Sequence, residues 1–417
     1  MAPPFEEVGL PTCRFCAAPL NRTFVDLGMS PLCESYVPAD RLDAEEMFYP
    51  LHARVCERCL LVQLEQFVTA IDIFQEYAYF SSYSDSWVAH ARAFVETAVR
   101  RFGLGSDSSV IEVASNDGYL LQHVAACSIP ALGIEPAANV AAAARERGIE
   151  TVVEFFGRDL ATGLVGEGQR ADLLVANNVM AHVPDLNDFV AGMEILLAPG
   201  GVVTIEVPHL VRLVERNQFD TIYHEHFSYF SFLTARKVLG AHGLEVFDVD
   251  ELKSHGGSLR LYAQRAWGQG HAVSPKVVAL AERERVLGFD TLEGHTSFAP
   301  RVMETKWRLL EFLIARRREG KRIVGYGAPG KGNTLLNYCG IRTDLLDFTV
   351  DRNPYKQGQY LPGTRIPIRH PDALDAARPD FILILPWNLR DEIVAQLDHA
   401  RDWNAQFVVP IPEVEVL

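Results

Sequence analysis

The chain has 417 residues, which at about 150 residues per domain allows two or three domains. Hydrophobic residues make up 48% and charged residues 22%, excluding wholesale disorder, a collagen-like chain and a coiled-coil rod. The net charge is −15, which predicts no nucleic-acid partner, since such binding needs clustered Lys and Arg to replace counterions; a locally positive pocket for an anionic small molecule remains compatible with it.

No apolar run reaches the roughly 18 residues that a membrane span needs, so no membrane association is expected. The first residues lack the basic-then-apolar pattern of a signal peptide. The 7 cysteines, odd and sparse, do not suit a secreted disulfide scaffold. A cytoplasmic monomer is the expectation.

Residues 1–66 hold five of the 7 cysteines and many turn residues, and predict a small loop-rich module. Cys13 and Cys16 form one C-x-x-C pair, Cys56 and Cys59 another, with 39 residues between the pairs. Four thiolates suit a tetrahedral, structural zinc ion, whose binding energy would stabilise a module with little core. The alternative is two redox pairs or free thiols, but neither pair opens a helix after a strand as redox motifs do. Cys33, Cys127 and Cys339 read as plain core or surface residues.

Residues 67–108 carry aromatic-rich helical text that includes Tyr77. Strands are then predicted at 109–114, 131–134, 173–176 and 202–207, with helices at 119–126 and 139–147 among them. This alternation predicts a doubly wound, mostly parallel α/β sheet. Residues 278–318 have helical composition and bridge to a second alternation, with strands at 322–325, 348–350 and 381–385. The predicted division is therefore 1–66, 67–295 and 296–417, the last a smaller α/β domain.

The first central strand contains Glu112 and runs into Ser115, Asn116, Asp117 and Gly118, small and polar residues that let a backbone approach a ligand. The second strand ends at Glu135, where an acidic side chain can accept hydrogen bonds from ribose hydroxyls. A third ends in Asn177 and Asn178, with His182 following, again at the carboxyl end of the sheet. Together these suggest an adenosine-containing cofactor, although Glu112 and Glu135 also read as solvated loop acids. A G-x-G-x-x-G run at Gly325, Gly327 and Gly330, with Asp351 after the next strand, supports a rival NAD-dependent reading. Pro329 and Lys331 are unusual in such a turn, and Lys331 suits a phosphate contact as a point charge.

Tyr223, His224, Glu225 and His226, which follow His209, are dense in titratable groups. Their spacing does not fit the H-E-x-x-H zinc helix. On a strand, Tyr223 and Glu225 would share one face and His224 and His226 the other; on a helix they would fan around the axis. His255 to Arg260 forms a glycine turn before a strand, as suitable for a structural hairpin as for ligand contact.

These motifs, in this order along almost the whole chain, resemble the three-domain S-adenosylmethionine-dependent sugar C-methyltransferases of deoxysugar antibiotic biosynthesis. Within that group the chain is most similar to C3′-methyltransferases of dTDP-4-keto-deoxysugars, such as those on the route to tetronitrose. The resemblance implies a zinc module, a central class I methyltransferase domain that binds S-adenosylmethionine and a C-terminal Rossmann-like domain that helps to bind the nucleotide sugar. It implies His226 as the base at C3′, with Tyr223, Glu225, His182 and Tyr77 lining the sugar site. His209, His224, Lys331 and Asn333 are the further candidates for substrate contact.

The chemistry explains such a set. A ketone at C4′ makes the neighbouring hydrogen removable, because the charge delocalises onto oxygen. A histidine near neutrality can take that proton, and a phenol or imidazole donor can stabilise the enolate. Transfer with inversion puts the base and the sulfonium on opposite faces of the sugar. The alternatives are a C5′-methyltransferase of the same fold, the NAD-dependent sugar-nucleotide oxidoreductase and a non-catalytic sugar-nucleotide binding scaffold.

Overall fold

The computed structural model describes residues 11–69, 80–267 and 270–417. Three sheets organise these residues. The N-terminal strands β1 (Arg22–Ser30), β2 (Tyr49–Val55) and β3 (Val62–Gln63) pair antiparallel. Phe24, Val25 and Leu27 in β1 and Leu51, Ala53 and Val55 in β2 are buried, so one face of this ribbon forms a core.

The central sheet contains β4 (Val110–Val113), β5 (Ala131–Ile134), β6 (Glu150–Val152), β7 (Ala171–Asn177) and β8 (Leu197–Pro208), all parallel. Every residue of β4 is buried, as is nearly all of β7; both read as continuous apolar runs because helices cover both faces of the sheet. The predicted helices appear as Leu121–Ala126 and Ala138–Glu146. After β8 the chain contributes a two-residue strand, β9 (Ser228–Tyr229), which leaves the central sheet and pairs with β3, Val62 opposite Tyr229 and Gln63 opposite Ser228. The first module carries a short sheet among its loops, and that sheet is completed by residues more than 160 positions away.

Strands β10 (Leu244–Leu252) and β11 (Ser258–Arg265) close the central sheet as a hairpin, with β11 antiparallel to β8. The spatial order is β10-β11-β8-β7-β4-β5-β6. The order reverses between β4 and β7, which opens a crevice at the carboxyl ends of the strands. The C-terminal sheet has the order β14-β13-β12-β15-β16-β17, built from β12 (Ile323–Tyr326), β13 (Thr349–Val350), β14 (Ile368–Arg369), β15 (Phe381–Ile384), β16 (Gln406–Val409) and the short antiparallel β17 (Glu415–Val416).

The N-terminal module is a wedge. On one side Phe24, Leu51 and Val62 share a core with the C-terminal domain and with the long Phe298–Arg318 helix. Phe24 stacks on Phe298 at 4.8 Å. On the other side Cys13, Leu20, Cys56, Cys59 and Leu61 belong to the core of the central sheet.

The four thiols of Cys13, Cys16, Cys56 and Cys59 lie within 4.8 Å of one another. Two of the sulfur pairs, Cys13–Cys59 and Cys16–Cys56, are 3.5 Å apart. Tetrahedral zinc with bonds of about 2.3 Å separates its sulfurs by about 3.8 Å, so the set fits the ion. The Gln63 amide donates to Cys13 Sγ at 3.2 Å, an outer-shell contact that orients a ligand. Zinc here would join two chain segments that lack other covalent ties. Purified protein is expected to hold one zinc per chain by metal analysis, and Cys59→Ser should lower Tm by roughly 5–10 °C with loss of the metal; a zinc-free variant of unchanged Tm would contradict this.

Candidate active site

The crevice beside β4 and β7 is lined by the predicted polar turn. Ala114, Asn116 and Gly118 have positive φ values of 56°, 50° and 76°, which turn the chain sharply between strand and helix. Asn116 accepts from the Ser81 amide at 2.9 Å, and Asp117 pairs with Arg147 at 2.9 Å. Glu135 is buried, and its carboxylate accepts the amides of Asn116 (3.0 Å) and Ala137 (2.9 Å). It is therefore an element of the turn as well as a candidate ribose contact, not a solvated loop acid. Glu112 is 1% exposed, and burial and the neighbouring Glu135 push its carboxyl well above the usual range.

Buried Glu112 Oε2, Ser115 Oγ, Asp117 Oδ1 and Asn177 Oδ1 and the Asn178 amide lack partners among the described residues. Buried acceptors without partners are costly. Acceptors predominate in this set, which suits a ligand rich in donors and positive charge, such as the ammonium, ribose hydroxyls and sulfonium of S-adenosylmethionine. Gly133 permits the close packing behind it: a Cβ there would lie 2.4 Å from Ser115 Oγ.

Across the crevice Tyr223 to His226 is a tight turn, with the His226 amide bonded to the Tyr223 carbonyl at 2.9 Å; it is neither of the two regular forms considered from the sequence. The turn separates the side chains. The His226 ring lies 4.6 Å from the His182 ring and 4.1 Å from the Tyr223 ring, centre to centre. His226 Nδ1 is 3.1 Å from the Thr221 carbonyl, an acceptor only, so Nδ1 carries the proton of the neutral ring and Nε2 its lone pair.

Glu225 points away from this group towards Cys33, whose thiol donates to Oε1 at 3.6 Å; burial and the nearby Glu34 raise its pKa to about 7. Cys33 is thus a contact between units rather than a plain core residue. His224 turns to the N-terminal sheet, 3.3 Å from the Pro50 carbonyl, and burial lowers its pKa. His209 is buried against Glu284 at 2.7 Å, and Glu284 also accepts the amides of Phe232 and Leu233. His224 and His209, the candidates for substrate contact, thus each make a packing contact through one ring nitrogen. Tyr77 lies outside the described residues.

Lys331 faces inwards. Its ammonium donates to Asn388 at 2.8 Å and sits 4.8 Å over the Trp387 ring. The Trp387 indole donates to the fully buried Asp220 at 2.7 Å. Burial raises Asp220 to about 7 against the opposing pull of Lys331 and that hydrogen bond. The Lys331 contacts lie within the C-terminal domain, and the Trp387–Asp220 hydrogen bond beside them crosses to the central domain. Asn333 is 1% exposed, with both ends of its amide unpartnered.

Four residues not singled out from the sequence, Glu206, His90, Ser254 and Arg14, knit the rim. Glu206, at the end of β8, lies 3.1 Å from His90 and accepts from Arg260 and Ser254 at 2.8 Å each. Burial would raise its pKa, but the His90 hydrogen bond and the Arg260 charge outweigh that and hold it at about 2. The glycine turn before β11 is therefore a hairpin that delivers Ser254 and Arg260 to Glu206. Arg14, between the first two cysteines, donates to the Pro184 carbonyl at 2.8 Å and lies 5.2 Å over the Phe227 ring. It thereby ties the metal module to the loops of His182 and His226.

Residues 87–249 match the family profile of a methyltransferase domain, residues 13–74 that of a zinc binding domain and residues 253–412 that of the C-methyltransferase C-terminal domain. The C-methyltransferase NovU of Streptomyces niveus is 35% identical over 405 residues, 97% of this chain and 96% of that protein. The chain belongs to the three-domain C-methyltransferases. Magnesium protoporphyrin IX methyltransferase from Synechocystis PCC 6803 with bound S-adenosylmethionine matches at 15% identity, covering 43% of this chain and 82% of that one, with a TM-score of 0.32. The CcbJ methyltransferase of Streptomyces caelestis matches at 13%, covering 47% and 96%, with a TM-score of 0.35.

This C-methyltransferase depends on S-adenosylmethionine, and the NAD-dependent and scaffold readings fall away. The glycine turn after β12 serves another purpose. The Ala328 amide donates to Asp351 at 2.7 Å, while Tyr36 and Lys356 donate to the Ala328 carbonyl at 2.7 and 3.0 Å. A Cβ on Gly330 would meet Cys33 Sγ at 2.9 Å. The turn receives the N-terminal module where a dinucleotide would need to lie.

Gly133→Ala is expected to weaken S-adenosylmethionine binding by about tenfold in a calorimetric titration, because Ser115 must move; unchanged affinity would remove Ser115 from the donor site. Asp220, raised by burial, stabilises the fold fully below its unfolded value near 4, and this contribution is lost as pH rises through about 7. Asp220→Asn should therefore gain in stability relative to wild type across that interval, measured by urea unfolding at several pH values. Parallel stability curves would contradict the assignment.

Proposed function

We propose that this enzyme transfers a methyl group to C3′ of a dTDP-linked 4-keto-6-deoxysugar, with His226 as the general base. The carrying observation is the His226 imidazole, its Nδ1–H tied to the Thr221 carbonyl and its ring flanked by His182 and Tyr223. That tautomer presents the Nε2 lone pair to a C–H bond. His226 removes the proton made acidic by the C4′ ketone. Tyr223 and His182 supply donors to the enolate oxygen. S-adenosylmethionine supplies the electrophilic methyl group.

Glu112, Ser115, Asn116, Asp117, Gly118, Glu135, Asn177 and Asn178 hold the donor in this reading. Holding donor and acceptor in one crevice contributes much of the remaining acceleration. The 35% identity to a C-methyltransferase over nearly the whole chain supports carbon as the acceptor atom. The zinc ion stays outside the chemistry, its four thiolates leaving no position for substrate.

The test is incubation of dTDP-3-amino-2,3,6-trideoxy-4-keto-D-glucose with enzyme and S-adenosylmethionine in deuterated water, followed by mass spectrometry. One methyl group on the ring carbon is expected. His226→Asn should lose methyl transfer and carbon-bound deuterium exchange by about a thousandfold while retaining donor affinity within twofold. Full exchange in that variant would reject His226 as the base.

A further inference from the structure

We infer that the C-terminal domain sets the geometry of the base: Trp387 and Thr334 are positioning residues for His226, acting through the backbone of residues 220–222. This rests on the reading of His226 as the base. Three contacts carry it. The Trp387 indole N–H, from the turn after β15, donates to Asp220 Oδ2 at 2.7 Å. The Thr334 hydroxyl, on the Gly330–Cys339 helix, donates to the Ile222 carbonyl at 3.1 Å. Between these two anchors the Thr221 carbonyl meets His226 Nδ1 at 3.1 Å.

All four anchoring groups are shielded. Asp220 is 0% exposed and Thr334 1%, and Ile222 and Trp387 are buried as well. The direction of the Thr221 carbonyl is set by the peptide plane that joins residues 221 and 222. With the side chain before that plane and the carbonyl after it both held by another domain, the plane has little room to swing. If it swings, Nδ1 loses its acceptor and the preference for a proton on that nitrogen. A proton on Nε2 leaves no lone pair there to receive the substrate's hydrogen.

Trp387 is itself seated by shape. A Cβ on Gly256 would stand 2.9 Å from the indole Cη2 and 2.8 Å from Gln218 Nε2, and Gln218 donates to the Gly256 carbonyl at 2.9 Å. The central domain therefore offers a side-chain-free surface at Gly256 where the ring docks, beside Gln218, which stands two residues before Asp220. Among the described residues, the hydrogen bonds of Trp387 and Thr334 run to residues 220–222 and not to the turn at residues 115–118, so loss of the anchors should spare donor binding.

Two near-isosteric variants test the inference in the full-length zinc-loaded enzyme. Trp387→Phe keeps a ring and removes the N–H; Thr334→Val keeps the shape and removes the hydroxyl. Each is expected to lower kcat and carbon-bound deuterium exchange by about 10- to 100-fold, with the S-adenosylmethionine Kd and sugar KM within about twofold. Thr334→Ser should restore the wild-type rate. Nitrogen-15 histidine NMR, with the His226 signals assigned by their loss in His226→Asn, should show a move away from the Nδ1–H tautomer in both variants.

Wild-type exchange rates, or an unchanged His226 tautomer, would overturn the inference. So would losses confined to KM or donor Kd. If His226→Asn abolishes exchange while both variants exchange normally, the base reading stands and this inference fails. If His226→Asn exchanges normally, the base reading fails first. The tautomer measurement needs no substrate and decides the positioning claim even with an unreactive sugar. Should Trp387→Phe fail to fold, Thr334→Val and its serine rescue carry the decision.

Discussion

Eleven residues, 219–229, bear the geometry on which the rest of the molecule depends. Phe219, Ile222 and Tyr229 are buried in the core shared by the N-terminal sheet and the C-terminal domain. Ser228 and Tyr229 complete the N-terminal sheet by pairing with β3. Asp220 and Ile222 accept hydrogen bonds from the C-terminal domain, and Phe227 lies under Arg14. A segment of such irregular backbone, rich in polar groups, has little intrinsic preference for one conformation. Contacts from three units restrict it, and the His226 turn is the product of that restriction.

The division of labour among the units follows. In the proposed reading the central sheet provides the donor crevice, because its strand order reverses between β4 and β7. The zinc module acts from outside that crevice. Its metal fixes the Cys13–Cys16 knuckle, the knuckle holds Arg14, and Arg14 reaches the loops of both His182 and His226. A structural ion can thus matter to a reaction whose atoms it never touches. Buried carboxylates mark the junctions. Glu206 is ionised because a guanidinium and an imidazole surround it, whereas Asp220 and Glu225 sit where burial outweighs their partners.

Much of the framework was legible in the sequence. The strands at β4, β5, β12 and β15 are short apolar runs bounded by turn residues, and both faces of each are covered, so composition and position coincide. The four zinc cysteines announce themselves by spacing, since the metal imposes it. The polar turn at residues 114–118 was legible because the chain must turn sharply there with small and polar residues. Strand β9 was not, because two residues carry no periodicity and their pairing is purely tertiary. Arg14, His90, Glu206 and Trp387 were missed for a related reason: each has a partner more than 100 positions away. The pairing of His209 with a buried glutamate 75 positions on was not legible, because a histidine beside a polar cluster looks the same in sequence whatever it faces.

The most direct test of this account is hydrogen–deuterium exchange of the peptide spanning residues 219–229, followed by mass spectrometry, in native and zinc-depleted enzyme. If three units hold the segment, metal removal should speed its exchange by about tenfold or more, while peptides from β7 keep their protection. Unchanged protection of residues 219–229 after verified loss of zinc would show that the segment holds its shape without the N-terminal module, and would contradict the account.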